Sequence, residues 1–136
     1  MPIMNWDASL DVGVESMNDD HKQILDLMNA IHDRAATGET GASMIALVDA
    51  LARVTIEHFR DEEAYMASVN FAGLASHKLI HADLLKTFSD HAGTIRANGG
   101  EVPSGFLMFL KLWLTAHIKG IDMKYGPKAG QLKKAG

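Results

Sequence analysis

Residues 44–66 read MIALVDALARVTIEHFRDEEAYM. Met44, Leu47, Val48, Leu51, Thr55, His58, Glu62 and then Tyr65 or Met66 recur at the three- and four-residue spacing that places side chains on one face of a helix. The stripe starts apolar and ends with an imidazole and a carboxylate on the same face. An amphipathic helix of this length needs partners to cover its apolar side, and those partners must also accommodate His58 and Glu62.

Three further stripes flank this one. Upstream, a helix from about residue 19 to 36 carries Ile24, Leu25, Met28, Ile31 and Ala35, with His21 at the head of the stripe. Asn18 or Asp19 is its expected N-cap, and Gly38 and Gly41 end the segment. Downstream, a helix from about residue 74 to 97 aligns His77, His81, Leu84, Leu85, Phe88 and Ile95, and stops at Asn98-Gly99-Gly100. The last helix has Pro103 where its first turn begins, carries Phe106, Phe109, Leu110, Trp113, Leu114, His117 and Ile121, and is closed by Gly126-Pro127. Residues 1 to about 18 lack a helical period and predict an extended arm that lays Trp6 against the helices. Four stripes with short connections and no internal repeat predict an all-α, antiparallel, up-down-up-down four-helix bundle with an extended N-terminal arm. One domain over residues 1–126 is expected, followed at 127–136 by a short mobile basic tail with Lys128, Lys133 and Lys134.

Bulk composition narrows the function classes. The 136 residues suffice for one sizeable core, with 47% hydrophobic and 22% charged residues. A net charge of −4 argues against nucleic-acid binding. The absence of cysteine excludes disulfides, iron–sulfur clusters and zinc–thiolate sites. The start at Met1–Asp7 has neither a basic nor an apolar signal region. The most apolar stretch, Phe106–Ile118, is interrupted by Lys111 and His117 and is too short to span a bilayer. A cytoplasmic protein without membrane insertion is expected.

The polar residues on the inward faces carry the chemistry. His21, His58, Glu62, His77, His81, His117 and Asp122 can all face one core. A buried carboxylate without a partner is costly, and a neutral imidazole needs partners for both nitrogens. A metal cluster removes that cost, and imidazole with carboxylate and no sulfur suits iron, zinc or copper. His77 and His81, and likewise His58 and Glu62, are four residues apart, which is about 40° of rotation and about 6 Å of rise on a helix. Asp122 follows His117 by five residues, about 140° away on a regular helix, so it reaches the same site only if the turn loosens near Gly120. Seven ligands exceed one four-coordinate zinc and suit two ions bridged by the carboxylates. Five imidazoles then divide three and two, leaving an open position on one ion. His32 and His91 lie about three turns from His21 and His81 along their helices, too far to share the site, and read as structural or surface residues.

With these residues in place, the chain resembles hemerythrin in its bacterial single-domain form. The resemblance rests on His21-Lys22-Gln23-Ile24, His58-Phe59-Arg60-Asp61-Glu62-Glu63, His77-Lys78-Leu79-Ile80-His81 and Trp113-Leu114-Thr115-Ala116-His117-Ile118 followed by Asp122. Trp6 and the acidic residues before His21 also match, so about residues 4 to 126 are covered. The turn Val69-Asn70-Phe71-Ala72 departs from the family by lacking a proline often seen there. The resemblance implies reversible O2 binding at a non-haem di-iron centre. His77, His81 and His117 would hold the coordinatively full iron, and His21 and His58 the iron with the vacancy. Glu62 and Asp122 would bridge, with an oxo or hydroxo group as the third bridge, and O2 would be held as hydroperoxide on the open iron. The family's apolar O2 pocket maps onto Ile24, Phe59, Trp113, Leu114 and Ile118, which are also ordinary core residues by periodicity. Glu63 is not a ligand in the family and reads equally as a solvated helix charge or as support for a ligand.

Three function classes follow. An oxygen carrier, store or delivery protein fits the resemblance. It would be no enzyme, would act as a monomer, and would pass O2 to a transient protein partner. A di-iron enzyme or sensor acting on O2, peroxide or nitric oxide is the alternative. Ferritin-like oxidases, however, use Glu-x-x-His on each of two helices, and this chain has no such pair. Iron storage would need shells or acidic channels that nothing in the sequence indicates.

Overall fold

The computed structural model describes residues 6, 10 and 13–120, the last two by backbone alone. Four helices follow one another: α1 Glu15–Ala36, α2 Ala42–Ser68, α3 Leu74–Ala97 and α4 Ser104–Gly120. They form the expected four-helix bundle, and no strand occurs among the described residues. The boundaries of α3 coincide with those expected, and α2 extends the quoted stretch by two residues at each end. Helix α1 begins one turn earlier than its stripe implies. Asn18 is not the cap: its backbone N–H donates to the Val14 carbonyl at 3.0 Å, so it lies inside the helix. The extra turn buries Met17 and places Glu15 in the first turn, where a negative charge favours the helix dipole. Val14 occupies the N-cap position without a side-chain cap, so burial at Met17 outweighs the lost capping bond.

The helix ends show how local sequence sets the connections. Helix α2 stops where Asn70 turns to φ 54, the one non-glycine residue with positive φ among those described. The N–H groups of Asn70 and Phe71 then cap the carbonyls of Ala67 and Met66 at 3.2 and 2.9 Å. The same pair of bonds ends α3, where Gly99 and Gly100 donate to Arg96 and Ile95. Gly100 has φ 90 and lies directly against the Gly41 backbone. The Gly41 N–H donates to the Gly99 carbonyl at 2.9 Å, which ties the α1–α2 and α3–α4 connections together at one end of the bundle. The α2–α3 turn lies at the other end.

That topology decides where the chemistry sits. His21 is early in α1, His58 and Glu62 late in α2, His77 and His81 early in α3, and His117 late in α4. Alternating helix direction brings all of them to the end with the α2–α3 turn. The rest of the bundle is apolar, with Ile24, Met28, Ile31, Met44, Leu51, Met66, Ile95, Phe106, Leu110 and Ile118 fully buried. Trp6 packs on this cluster, and the Lys22 ammonium stands 5.0 Å from its ring centroid. No described helix is long and apolar enough to cross a membrane. Residues 1–5, 7–9 and 11–12 of the arm, Ile121 of the last stripe, the closing Gly126-Pro127 and the basic tail lie outside the described residues.

Candidate metal centre

Glu62 stands at the middle of the site with a fully buried side chain. Its Oε1 lies 3.0 Å from His77 Nε2, 2.9 Å from His81 Nε2 and 3.9 Å from His117 Nε2. Its Oε2 lies 3.2 Å from His58 Nε2 and 3.7 Å from His21 Nε2. Five imidazoles from four helices therefore point the same ring nitrogen at one carboxylate. The donor atoms fall into two groups that share Glu62: His77, His81 and His117 on one side, His21 and His58 on the other. The three-and-two division expected from residue count is present in space.

Electrostatics test whether a metal fits. Burial alone would push the Glu62 carboxyl up; His117, His21, His58 and His77 outweigh that and hold it well below the ordinary carboxylate range. All five rings crowd on that one carboxylate. Two of them have carboxylates at both ends. His58 Nδ1 lies 2.9 Å from Asp20 Oδ2, and His81 Nδ1 lies 3.0 Å from Glu63 Oε2. An ionised carboxylate only accepts, so each Nδ1 carries a proton, and the neutral form of each ring then has Nε2 as its metal-binding nitrogen. Five buried ring nitrogens crowded around one carboxylate suit cations placed between them. Two cis ligands bound at 2.0–2.2 Å to one ion stand roughly 3 Å apart, which is the spacing of the three shortest contacts. The residues fit a pair of metal ions.

Aromatic packing holds the rings. Phe59 stacks on His81 at 3.8 Å with an interplanar angle of 4° and meets Trp113 edge-on at 6.1 Å. His21 meets His58 edge-on at 4.7 Å, and His77 meets His117 at 5.1 Å. Ile24, Phe59, Trp113, Leu114 and Ile118 are all buried, as core and pocket readings both require. Beside the centre, Thr55, Phe59, Leu84, Leu85, Phe88, Phe109 and Trp113 line a crevice too narrow to hold a water molecule. Only Phe59 and Trp113 of the expected pocket residues border it. Its lining is apolar apart from Thr55 and Trp113, whose Oγ1 and Nε1 are buried with no hydrogen-bond partner among the described residues.

Asp122 and the loosened turn expected near Gly120 lie outside the described residues. His32 and His91 belong to neither donor group. His32 pairs with Asp33 at 3.2 Å, and His91 packs on Phe106 and Phe109. Glu63 is more than a solvated charge, because it contacts a ring of the centre. Asp20 is the residue that sequence reasoning missed. It counted there only among the acidic residues before His21 that match the family, with no contact assigned to it.

The description "Hemerythrin HHE cation binding domain" is that of a family model matching residues 12–129. The chain is 35% identical to the bacteriohemerythrin of Methylococcus capsulatus, over 93% of this chain and 97% of that protein. It is also 35% identical to the myohemerythrin of Riftia pachyptila, over 88% of each. The crystal structure of a wild-type hemerythrin superposes with a TM-score of 0.83 at 34% identity, covering 91% of this chain and 95% of that one.

Proposed function

We propose that this chain, which belongs to the hemerythrin family, binds O2 reversibly and works as an oxygen carrier, store or delivery protein. The observation that carries the reading is the convergence of five Nε2 atoms on the buried Glu62 carboxylate, divided three and two. His77, His81 and His117 would hold one iron, His21 and His58 the other, and Glu62 would bridge them with Asp122. Two irons, when bound, would supply the two electrons that reversible O2 binding requires.

The remaining work falls to the chain itself. Five imidazoles and few carboxylates give a donor set of low negative charge, which favours the lower oxidation state over deep oxidation. Phe59 packs against His81 and excludes water from that ring face. Ile24, Leu114 and Ile118 are buried and keep the surroundings dry, which would limit proton delivery to a ligand held at the centre. This reading places a monomer in the cytoplasm that passes O2 to a transient protein partner and catalyses no net reaction.

An anaerobic, reduced, iron-loaded sample titrated with O2 tests it. A ligand-to-iron charge-transfer band should grow with O2 and vanish when O2 is removed. Irreversible O2 consumption with a released product would replace the carrier reading with an oxidase.

A further inference from the structure

Two carboxylates outside the ligand set touch the centre, one on each side of it. Asp20 Oδ2 accepts from His58 Nδ1 at 2.9 Å, in the group with two imidazoles. Glu63 Oε2 accepts from His81 Nδ1 at 3.0 Å, in the group with three. Both reach across a helix boundary: Asp20 is on α1 and grips a ring of α2, while Glu63 is on α2 and grips a ring of α3. Each side chain is about a quarter exposed, at 28% and 27%, while both rings are 2% exposed. A partly exposed carboxylate and a buried imidazole thus form a bond that spans the wall of the bundle.

We propose that Asp20 and Glu63 are positioning residues, each fixing the tautomer and orientation of one imidazole, Asp20 for the half with the open position and Glu63 for the full half. A neutral imidazole carries its proton on either nitrogen, and only the Nδ1–H form offers Nε2 to a metal. A carboxylate at Nδ1 selects that form, holds the ring plane and makes Nε2 a stronger donor. The division has a consequence for function. A change at Asp20 alters the metal half that meets external ligands, whereas a change at Glu63 alters the half that does not. The inference rests on the di-iron reading above.

The test compares wild type, Asp20→Ala and Glu63→Ala as iron-loaded proteins, with Asp20→Asn and Glu63→Gln as isosteric controls. Iron release to an excess of chelator should speed up by roughly 10–100-fold for one of the two irons in each alanine variant. The isosteres keep an oxygen acceptor without the charge and should fall between wild type and alanine. Azide binding identifies the half: its charge-transfer band should shift in Asp20→Ala and stay in place in Glu63→Ala. Proton NMR adds a readout that simple packing loss would not move. One solvent-exchangeable, iron-shifted ring N–H signal should exchange faster in each variant, and a different one in each. Normal iron loading in wild type, with unchanged release, azide band and N–H exchange in all four variants, would overturn the positioning roles and leave the di-iron reading standing. Failure of the wild-type protein to take up two irons would overturn both.

Discussion

At the residue scale, the chemistry depends on which atoms converge, and single substitutions report it directly. His77 Nε2 lies 3.0 Å from the shared carboxylate. His77→Ala should therefore lower iron content below the two per chain expected of wild type; full loading by metal analysis would remove His77 from the ligand set. Leu114 lies on α4 one turn before His117 and is 2% exposed. Leu114→Ala should cost about 2–5 kcal/mol if the cavity does not collapse. It should also admit water beside the centre, so that the oxygenated protein decays faster to the diferric form at normal iron content. Stopped-flow decay with parallel iron assays decides this; an unchanged rate in a folded, loaded variant would make Leu114 ordinary core.

At the element scale, the connections fix which helix ends meet. Gly100 combines a positive φ of 90 with contact against the Gly41 backbone, whereas Gly38, with φ 84, has nothing within 4 Å of where a Cβ would sit. An L-residue in the left-handed region costs roughly 1–2 kcal/mol. Gly38→Ala should lose about that much, and Gly100→Ala clearly more, because a Cβ there also forces the α1–α2 and α3–α4 connections apart. Thermal or urea unfolding of the two variants measures the difference, and equal losses would refute the role given to the Gly41–Gly99 contact. Helix α1 teaches the complementary lesson. Asn18 and Asp19 have good capping side chains, yet the helix starts at Glu15, since burying Met17 gains more than a cap.

At the scale of the whole molecule, the centre is a clasp on all four helices. A cation that binds only the folded arrangement of five imidazoles and Glu62 stabilises the fold by mass action. Chelation should lower the unfolding temperature, and iron should restore it. In the metal-free protein, Glu62 sits well below its ordinary value of 4.5. The unfolded chain then binds more protons than the folded one around that pH. The stability that Glu62 contributes is complete above its unfolded value and is lost as pH falls through its folded value. Urea midpoints should drop more steeply with acid below about pH 4.5 in wild type than in Glu62→Gln; parallel curves would mean that the carboxylate is not held low.

Periodicity by itself determined the four stripes, the glycine and asparagine stops, and the placement of His21, His58, Glu62, His77, His81 and His117 on inward faces. These are local properties, since a helix face is set by spacing along one chain. The division of the imidazoles into three and two was legible as arithmetic. Which ring nitrogen faces Glu62, and that Oε1 and Oε2 serve different groups, was decided only by the packing of four helices. Asp20 shows the limit most clearly. It lies beside His21 in the chain, yet its carboxylate holds His58 from 38 positions away, because the antiparallel return of α2 sets them side by side. Glu63 was ambiguous for the same reason: a helix charge and a grip on His81 have the same sequence, and only the position of α3 separates them.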